Sequence, residues 1–365
     1  MNFIQKILFG SPGVGKSYKI GEIARYELGI NDNTRIVNTV FHPEYKYSDF
    51  MGKLLPLSSG QSIVYKYYNG HFLQALGKAY RGIVNNNEEN YLLVIDELNR
   101  GNAVAIFGTV FQLLDRDGDG WSNYKVDISD MEMLGLIDAM GYKASIHNDV
   151  IMVGNSSLDR FIEELDQVKS HNVNILQDCL KNKKISIPPN LSIIGTINTS
   201  DESIYYLDTA FKRRWEWEYI DAPSEINITS YPENKNSIPE KILNVSVIKN
   251  EYSDFPELKL YRIIVGINEF IKSCHQSVRR IEDKQIGWWF INTSNSKLDI
   301  NQVKNKLMFY LWDSVFARDK RPLIKLIEDK LNKNNIKLVT YADFLGYSED
   351  LLRYWHGSVP EVEQE

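Results

Sequence analysis

Four groups of residues, scattered from Gly10 to Arg214, have the types and spacing to handle a terminal phosphate. The first, GSPGVGKS, runs Gly10, Ser11, Pro12, Gly13, Val14, Gly15, Lys16, Ser17 and matches G-x-x-x-x-G-K-[ST]. Its glycines let backbone N–H groups turn toward phosphate oxygens, and a following helix would add its positive end. Lys16 is suited to β- and γ-phosphates, and the Ser17 hydroxyl to Mg²⁺; Tyr18 follows directly and is counted with the loop. The second group ends YLLVIDE (91–97): Asp96 closes an apolar run, where a carboxylate binds Mg²⁺ through water, and Glu97 is placed to orient and polarise an attacking water. The third is Asn198 in LSIIGTINTSDES (191–203), an amide that could hold that water against the γ-phosphate without competing for its proton. The fourth is the pair Arg213 and Arg214 in YLDTAFKRRWEW (206–217). They either solvate a helix end or reach a nucleotide bound by a neighbouring subunit. Each group has an ordinary alternative taken singly; the conjunction carries the reading.

The elements needed to position these residues are legible around them. Residues 3–9 predict a strand, 18–28 a helix, 31–33 a turn and 34–41 a second strand. Phe72, Leu73, Leu76 and Tyr80 mark one face of a helix over 71–84. Residues 91–95 and 191–197 are continuous apolar runs of the kind found in central parallel strands, and 103–114 is helical. The alternation predicts an α/β doubly wound parallel sheet covered by helices on both faces. The block 118–187 breaks the rhythm and reads as an insertion, with a hairpin-like opening (GDGWSNYKVDIS) and helical character over 158–180. Beyond about 225 the pattern turns to helices and loops, with helices over 258–274, 300–316 and 322–331 and an acidic tail. The expected division is a nucleotide-binding core over 1–225 and a smaller helical domain over 226–365.

The 365 residues suffice for two or three domains, and 43% hydrophobic with 25% charged residues is ordinary for a soluble globular protein. A formal net charge of −6 gives bulk electrostatics no vote for nucleic-acid binding. Cys179 and Cys274 are too few and too far apart for a disulfide framework or a thiolate metal site. The apolar run at the N-terminus is too short for a signal peptide, and no run is long enough to span a membrane. The expected location is cytoplasmic. Asp115–Gly120 (DRDGDG) opens like a calcium loop, but the twelfth position, which needs a bidentate Glu, is Val126; a tight turn is expected instead.

These segments together resemble the AAA+ superfamily and, within it, the McrB family of GTP-hydrolysing motors in modification-dependent restriction systems. FHPEYKYSDFMGKLLP (41–56) is similar to the family's FHPSYSYEDF-type segment, and YYNGHF (67–72) to its dG-F segment. IDELNRGNAVAIFG (95–108) resembles IDEINRGN-x-x-x-IFGE. IPPNLSIIGTINTSDESIYYLDTAFKRRW (187–215) resembles IP-x-NL-x-IGTMNTADRSI-x-x-LD-x-ALRRRF, and DKQIGWWF (283–290) the QIGHSYF segment of a helical lid. The match covers most of 1–220 and parts of 280–318. It implies a three-layer αβα P-loop core with a helical lid, with Gly10 to Ser17 on the phosphates and Asp96 and Glu97 as the metal and water-activating acids. It also implies Asn198 as sensor, Arg213 or Arg214 acting across a subunit interface, and Arg100 and Asp201 near that interface. The family forms hexameric rings, is stimulated by an McrC-type nuclease partner, and moves DNA after an N-terminal domain has read a modified base.

Three departures stand out. Ile197 replaces the family's Met, the block 118–187 is larger than the usual hairpin, and no DNA-reading domain precedes the motor. The expectation is therefore either a motor cut from a longer chain or a target read by another subunit or by the block. The Asn-Lys-x-Asp motif that reads guanine in Ras-like proteins occurs nowhere, so GTP rests on the resemblance and ATP stays open. No D…E-x-K nuclease constellation stands out, so cleavage is not assigned to this chain. A remodelling ATPase acting on protein complexes, or a nucleotide-gated assembly module, is the alternative.

Overall fold

The apolar run 91–95 is buried along its whole length, which only a sheet covered on both faces accommodates. The computed structural model describes residues 3–59, 62–87, 89–165, 170–199, 205–229, 238–249 and 253–362. Its central sheet has five strands: β1 (Gln5–Gly10), β2 (Ile36–Val40), β3 (Tyr91–Asp96), β4 (Leu191–Asn198) and β5 (Glu216–Tyr219). Their spatial order is β5-β1-β4-β3-β2. β3 pairs in parallel with β2, Leu93 opposite Val37, and in parallel with β4, Leu93 opposite Ile193. Because β1 and β2 are not neighbours, the chain must cross the sheet between them, and helices make such crossings.

The helix His71–Val84, between β2 and β3, turns Phe72, Leu73, Leu76, Ala79 and Tyr80 inward, the face expected from the spacing. The helix expected over 103–114 is α-helical only over Ala103–Phe107 and continues as a 3₁₀ segment, Gly108–Leu114. The change falls at Gly108, whose φ of 52° is left-handed and whose added Cβ would lie 2.8 Å from the Tyr47 ring. An antiparallel hairpin, Gly52–Ser59 with Ser62–Asn69, was not anticipated, because Leu54, Leu57, Ile63 and Tyr65 are exposed and alternation has no buried face to report.

The block 118–187 holds a helix, Asp130–Ala139, started by a Ser129–Glu132 capping box, then a small antiparallel sheet of Ala144–His147, Val150–Val153 and Ser156–Ser157. Helices Leu158–Leu165 and His171–Lys181 replace the single helical stretch expected over 158–180. Its opening is hairpin-like only at Arg116 and Ser122, which form an antiparallel bridge; beyond it Val126–Asp127 pairs with Lys184–Ile185 from the far end of the block. Asp115–Gly120 does make the expected tight turn, Gly120 N–H donating to Asp117 O at 2.9 Å. The root is stapled by side chains. Ser122 Oγ donates to Leu113 O and accepts from Ile187 N–H, while the buried Tyr80 hydroxyl donates to Ser186 O and accepts from its N–H. Arg116, in contact with the Phe3 ring, donates to the carbonyls of Gly120, Pro188 and Leu191.

Packing divides the chain into two units. The first contains the residues up to Leu8, Ser17–Ile197 and the stretch ending at Glu218. The second contains Phe9–Lys16, Asn198 with Thr199, and the chain from Tyr219 onward. The core of the second unit surrounds the helix Leu260–Ser273 and includes Phe316, Phe344 and Trp355. Gly266 is needed there because a Cβ would lie 2.5 Å from Trp355 O. Alongside the expected helices, here Ile300–Tyr310 and Arg321–Leu331, stands a small sheet not read from the sequence: Ser246–Ile248 runs parallel to Lys297–Asp299 and antiparallel to Leu258–Lys259. No helix among the described residues is long and apolar enough to cross a membrane.

Candidate nucleotide site

In the second unit, Gly13 and Gly15 take φ values of 76° and 101°, which side-chain-bearing residues rarely adopt. These two positions let the loop turn tightly before Lys16. The Lys16 side chain is buried and folded back over the loop, Nζ donating to Gly10 O at 2.9 Å and Ser11 O at 3.1 Å. Buried within the loop, the Ser11 hydroxyl has no hydrogen-bond partner among the described residues. Asn198, the last residue of β4, and Thr199 follow in the same unit, Thr199 N–H lying 3.5 Å from Gly10 O.

In the first unit, β3 ends in Asp96 with Glu97 directly after it. Glu97 has φ 53° and ψ 43°, a left-handed conformation uncommon for a residue with a side chain, and such backbone strain is stored where the side chain must be aimed. Thr196, opposite Asp96 on β4, fixes this corner. Its hydroxyl bonds Asp96 Oδ1 and accepts from Glu97 N–H at 3.2 Å. The Glu97 carboxylate accepts from Arg100 Nε at 3.1 Å. Ser17 and Tyr18 are exposed at the start of the helix Lys16–Glu22.

The two arginines part company. Arg214 is 8% exposed along its side chain and donates to Asp115 Oδ2 from Nε at 3.0 Å and Nη2 at 2.6 Å. Its Nη1 donates to Ala210 O, and the guanidinium sits 4.0 Å from the Phe111 ring centre. Arg213 is exposed. Asp201 lies outside the described residues. Sequence reasoning named Asp96 and Glu97 but missed Thr196 and Asp115. The signal for Thr196 was present, a hydroxyl inside the otherwise apolar run LSIIGTI; Asp115 had none, since its partner lies 99 positions away.

Among the described residues no cluster of three or more His, Cys, Asp or Glu side chains could hold a metal ion unaided. Hard oxygen donors in small number, the Asp96 carboxylate and the Ser17 hydroxyl, suit Mg²⁺, which keeps several waters and takes its remaining ligands from phosphates.

A phosphate-loop motif ending the first strand, paired acids ending the third, and a parallel-paired centre in a sheet ordered β5-β1-β4-β3-β2 define an α/β P-loop NTPase fold. Comparison with known proteins narrows this. The chain is 29% identical over 338 residues to the type II restriction enzyme BsuMI component YdiS of Bacillus subtilis, covering 86% of this chain and 80% of that one. It is 26% identical over 211 residues to the type IV methyl-directed restriction enzyme EcoKMcrB subunit of Escherichia coli, covering 58% of this chain and 34% of that one. No family model matches. Among solved structures, a putative ATPase from Cytophaga hutchinsonii aligns over 96% of this chain and 84% of its own at 12% identity and a TM-score of 0.23. PCH-2 of C. elegans aligns over 95% of this chain and 60% of its own at 12% identity and 0.26. Scores that low carry no weight for either. The family segments of the sequence and the two curated relatives make the chain similar to McrB-like AAA+ proteins.

Proposed function

We propose that this chain is a Mg²⁺-dependent nucleoside triphosphatase, with GTP preferred to ATP. In this reading it is the ring-forming, DNA-translocating motor of a restriction complex whose cutting is done by a separate McrC-like nuclease subunit. The observation that carries the reading is the corner at the end of β3, where Thr196 fixes Asp96 and the strained Glu97 is aimed by Arg100. A hydrolase needs such a corner and a storage protein does not. The relatives support the setting, since both are named as components of restriction enzymes.

In this reading Gly10 to Ser17 bind the phosphates and Lys16 leaves its loop carbonyls for the β- and γ-phosphate oxygens. Ser17 and Asp96 hold Mg²⁺, which when bound neutralises developing phosphate charge. Glu97 takes up the proton of the attacking water and Asn198 positions that water. Arg213, from a neighbouring copy in a hexameric ring, supplies the finger, whereas Arg214 holds the helix that carries it. Residues 1–225 act as the core, 226–365 as the lid, and the complex works in the cytoplasm on DNA.

The test is GTP and ATP turnover by wild-type protein and Glu97→Gln, each with and without duplex DNA and the partner nuclease. Glu97→Gln is expected to lose at least about a hundredfold in kcat while still binding nucleotide. Wild-type turnover should favour GTP and rise with the partner present. Equal turnover by the variant would remove the assigned chemistry. ATP preference with no response to DNA or nuclease would leave a hydrolase of another kind.

A further inference from the structure

The phosphate loop touches the turn 285–290 of its own unit at unusually short range. Gly287 N–H donates to Pro12 O at 2.9 Å and Trp289 N–H to Gly13 O at 2.8 Å. A Cβ on Gly287 would fall 2.1 Å from Gly13 C and from Val14 N, and one on Gly13 would fall 2.5 Å from Phe290 N. A Cβ essentially never comes within about 3 Å of another residue's heavy atoms, so two glycines, one from each segment, make the approach possible. The segment is itself held rigidly. Phe290 N–H closes a turn onto Gly287 O at 3.2 Å, and the fully buried Asn268 grips Ile286 from both sides. Its Oδ1 accepts from Ile286 N–H at 2.9 Å, and its Nδ2 donates to Ile286 O at 2.8 Å and Pro223 O at 2.9 Å.

We propose that the turn Gln285–Phe290 is a backbone brace that sets the peptide planes of the phosphate loop, with Asn268 as its anchor and Gly287 as the position that admits it. The argument is geometric. In a trans peptide the C=O and the following N–H point in opposite directions. Holding Pro12 O and Gly13 O toward the turn therefore fixes the N–H groups of Gly13 and Val14 away from it, the side on which phosphate oxygens would be received. A loop of glycines left alone would sample other peptide orientations, and only the fraction in the receptive one would bind. Asn268, Gly287 and Trp289 are positioning residues in this scheme, acting through the loop and not on the nucleotide. The inference rests on the reading of Gly10 to Ser17 as the phosphate site.

The test uses hydrogen exchange on the full chain with and without Mg²⁺ and GTPγS or ATPγS, joined to nucleotide titration of Gly287→Ala. In the wild type, nucleotide is expected to slow exchange in peptides covering 9–18 and 285–290 together. Gly287→Ala is expected to weaken nucleotide binding by about tenfold or more, as the receptive fraction falls. Its kcat at saturating nucleotide should stay within about threefold, because bound phosphate restores the loop. A merely structural role would lower the unfolding midpoint without moving the nucleotide Kd. Protection confined to 9–18, or wild-type affinity in Gly287→Ala, overturns the brace and leaves the phosphate site standing. Absence of protection at 9–18 with either nucleotide overturns the phosphate site and the brace with it. The wild-type exchange result stands even if the variant does not fold.

Discussion

Adjacent arginines in the turn that ends the helix Thr209–Lys212 meet opposite environments, and the difference makes their roles separable. Arg214 is closed into a pair with Asp115 and a contact with Phe111, so truncation leaves a half-buried carboxylate without its partner. Arg214→Ala is expected to destabilise the fold by about 2–3 kcal/mol, read as a lower denaturant midpoint. Arg213→Ala removes an exposed side chain and should change stability by no more than about 0.5 kcal/mol, while turnover falls at least about a hundredfold. Unchanged turnover in a folded Arg213→Ala protein would refute the finger. The same scale shows how the sequence is legible. GSPGVGKS and the Asp96–Glu97 pair announce themselves because phosphate chemistry dictates local spacing. Nothing local in KRRW says which arginine is spoken for, since the deciding partner arrives from another part of the chain.

Elements report themselves by periodicity only where one face is buried and the other wet. The helix His71–Val84 satisfies that; the strands β3 and β4, buried on both faces, are legible instead as continuous apolar runs. The hairpin Gly52–Ser59 with Ser62–Asn69 exposes apolar residues, and the insertion closes through a pairing of Val126–Asp127 with Lys184–Ile185 that no local pattern encodes. The staple at that root is open to test. Tyr80→Phe removes a donor to Ser186 O and the acceptor of Ser186 N–H, both buried, and should cost about 1–3 kcal/mol in unfolding free energy. The helix Ser348–Gly357 carries a pH signature. Burial holds the His356 imidazole down to about 4; Arg262 and Lys259 push the same way, and Glu361 opposes them. An unfolded chain takes up a proton near pH 6.5 that the folded one refuses until about pH 4, so stability is lost as pH falls through that window. With partial exposure allowed for, the loss is about 2 kcal/mol. His356→Gln should therefore lose less stability than wild type between pH 7 and pH 4.5, measured by urea unfolding at both.

At the scale of the whole molecule, the proposed finger, acting on a neighbour's nucleotide, would make activity a property of pairs of subunits. Glu97→Gln keeps Arg213 but lacks the acid; Arg213→Ala keeps the acid but lacks the finger. Each alone should form rings with nucleotide and turn over slowly. Mixed and reassembled in equal amounts, they place an intact Glu97 beside an intact Arg213 at about a quarter of the interfaces of a head-to-tail ring. Turnover of the mixture should then rise to about a quarter of wild type per subunit, well above either parent, since a competent interface is worth several orders of magnitude over an incompetent one. The rise should vanish on dilution below the assembly concentration and should be absent when Glu97→Gln is mixed with the double variant Glu97→Gln, Arg213→Ala. If the two single variants stay inactive together while both still assemble, Arg213 does not act between subunits.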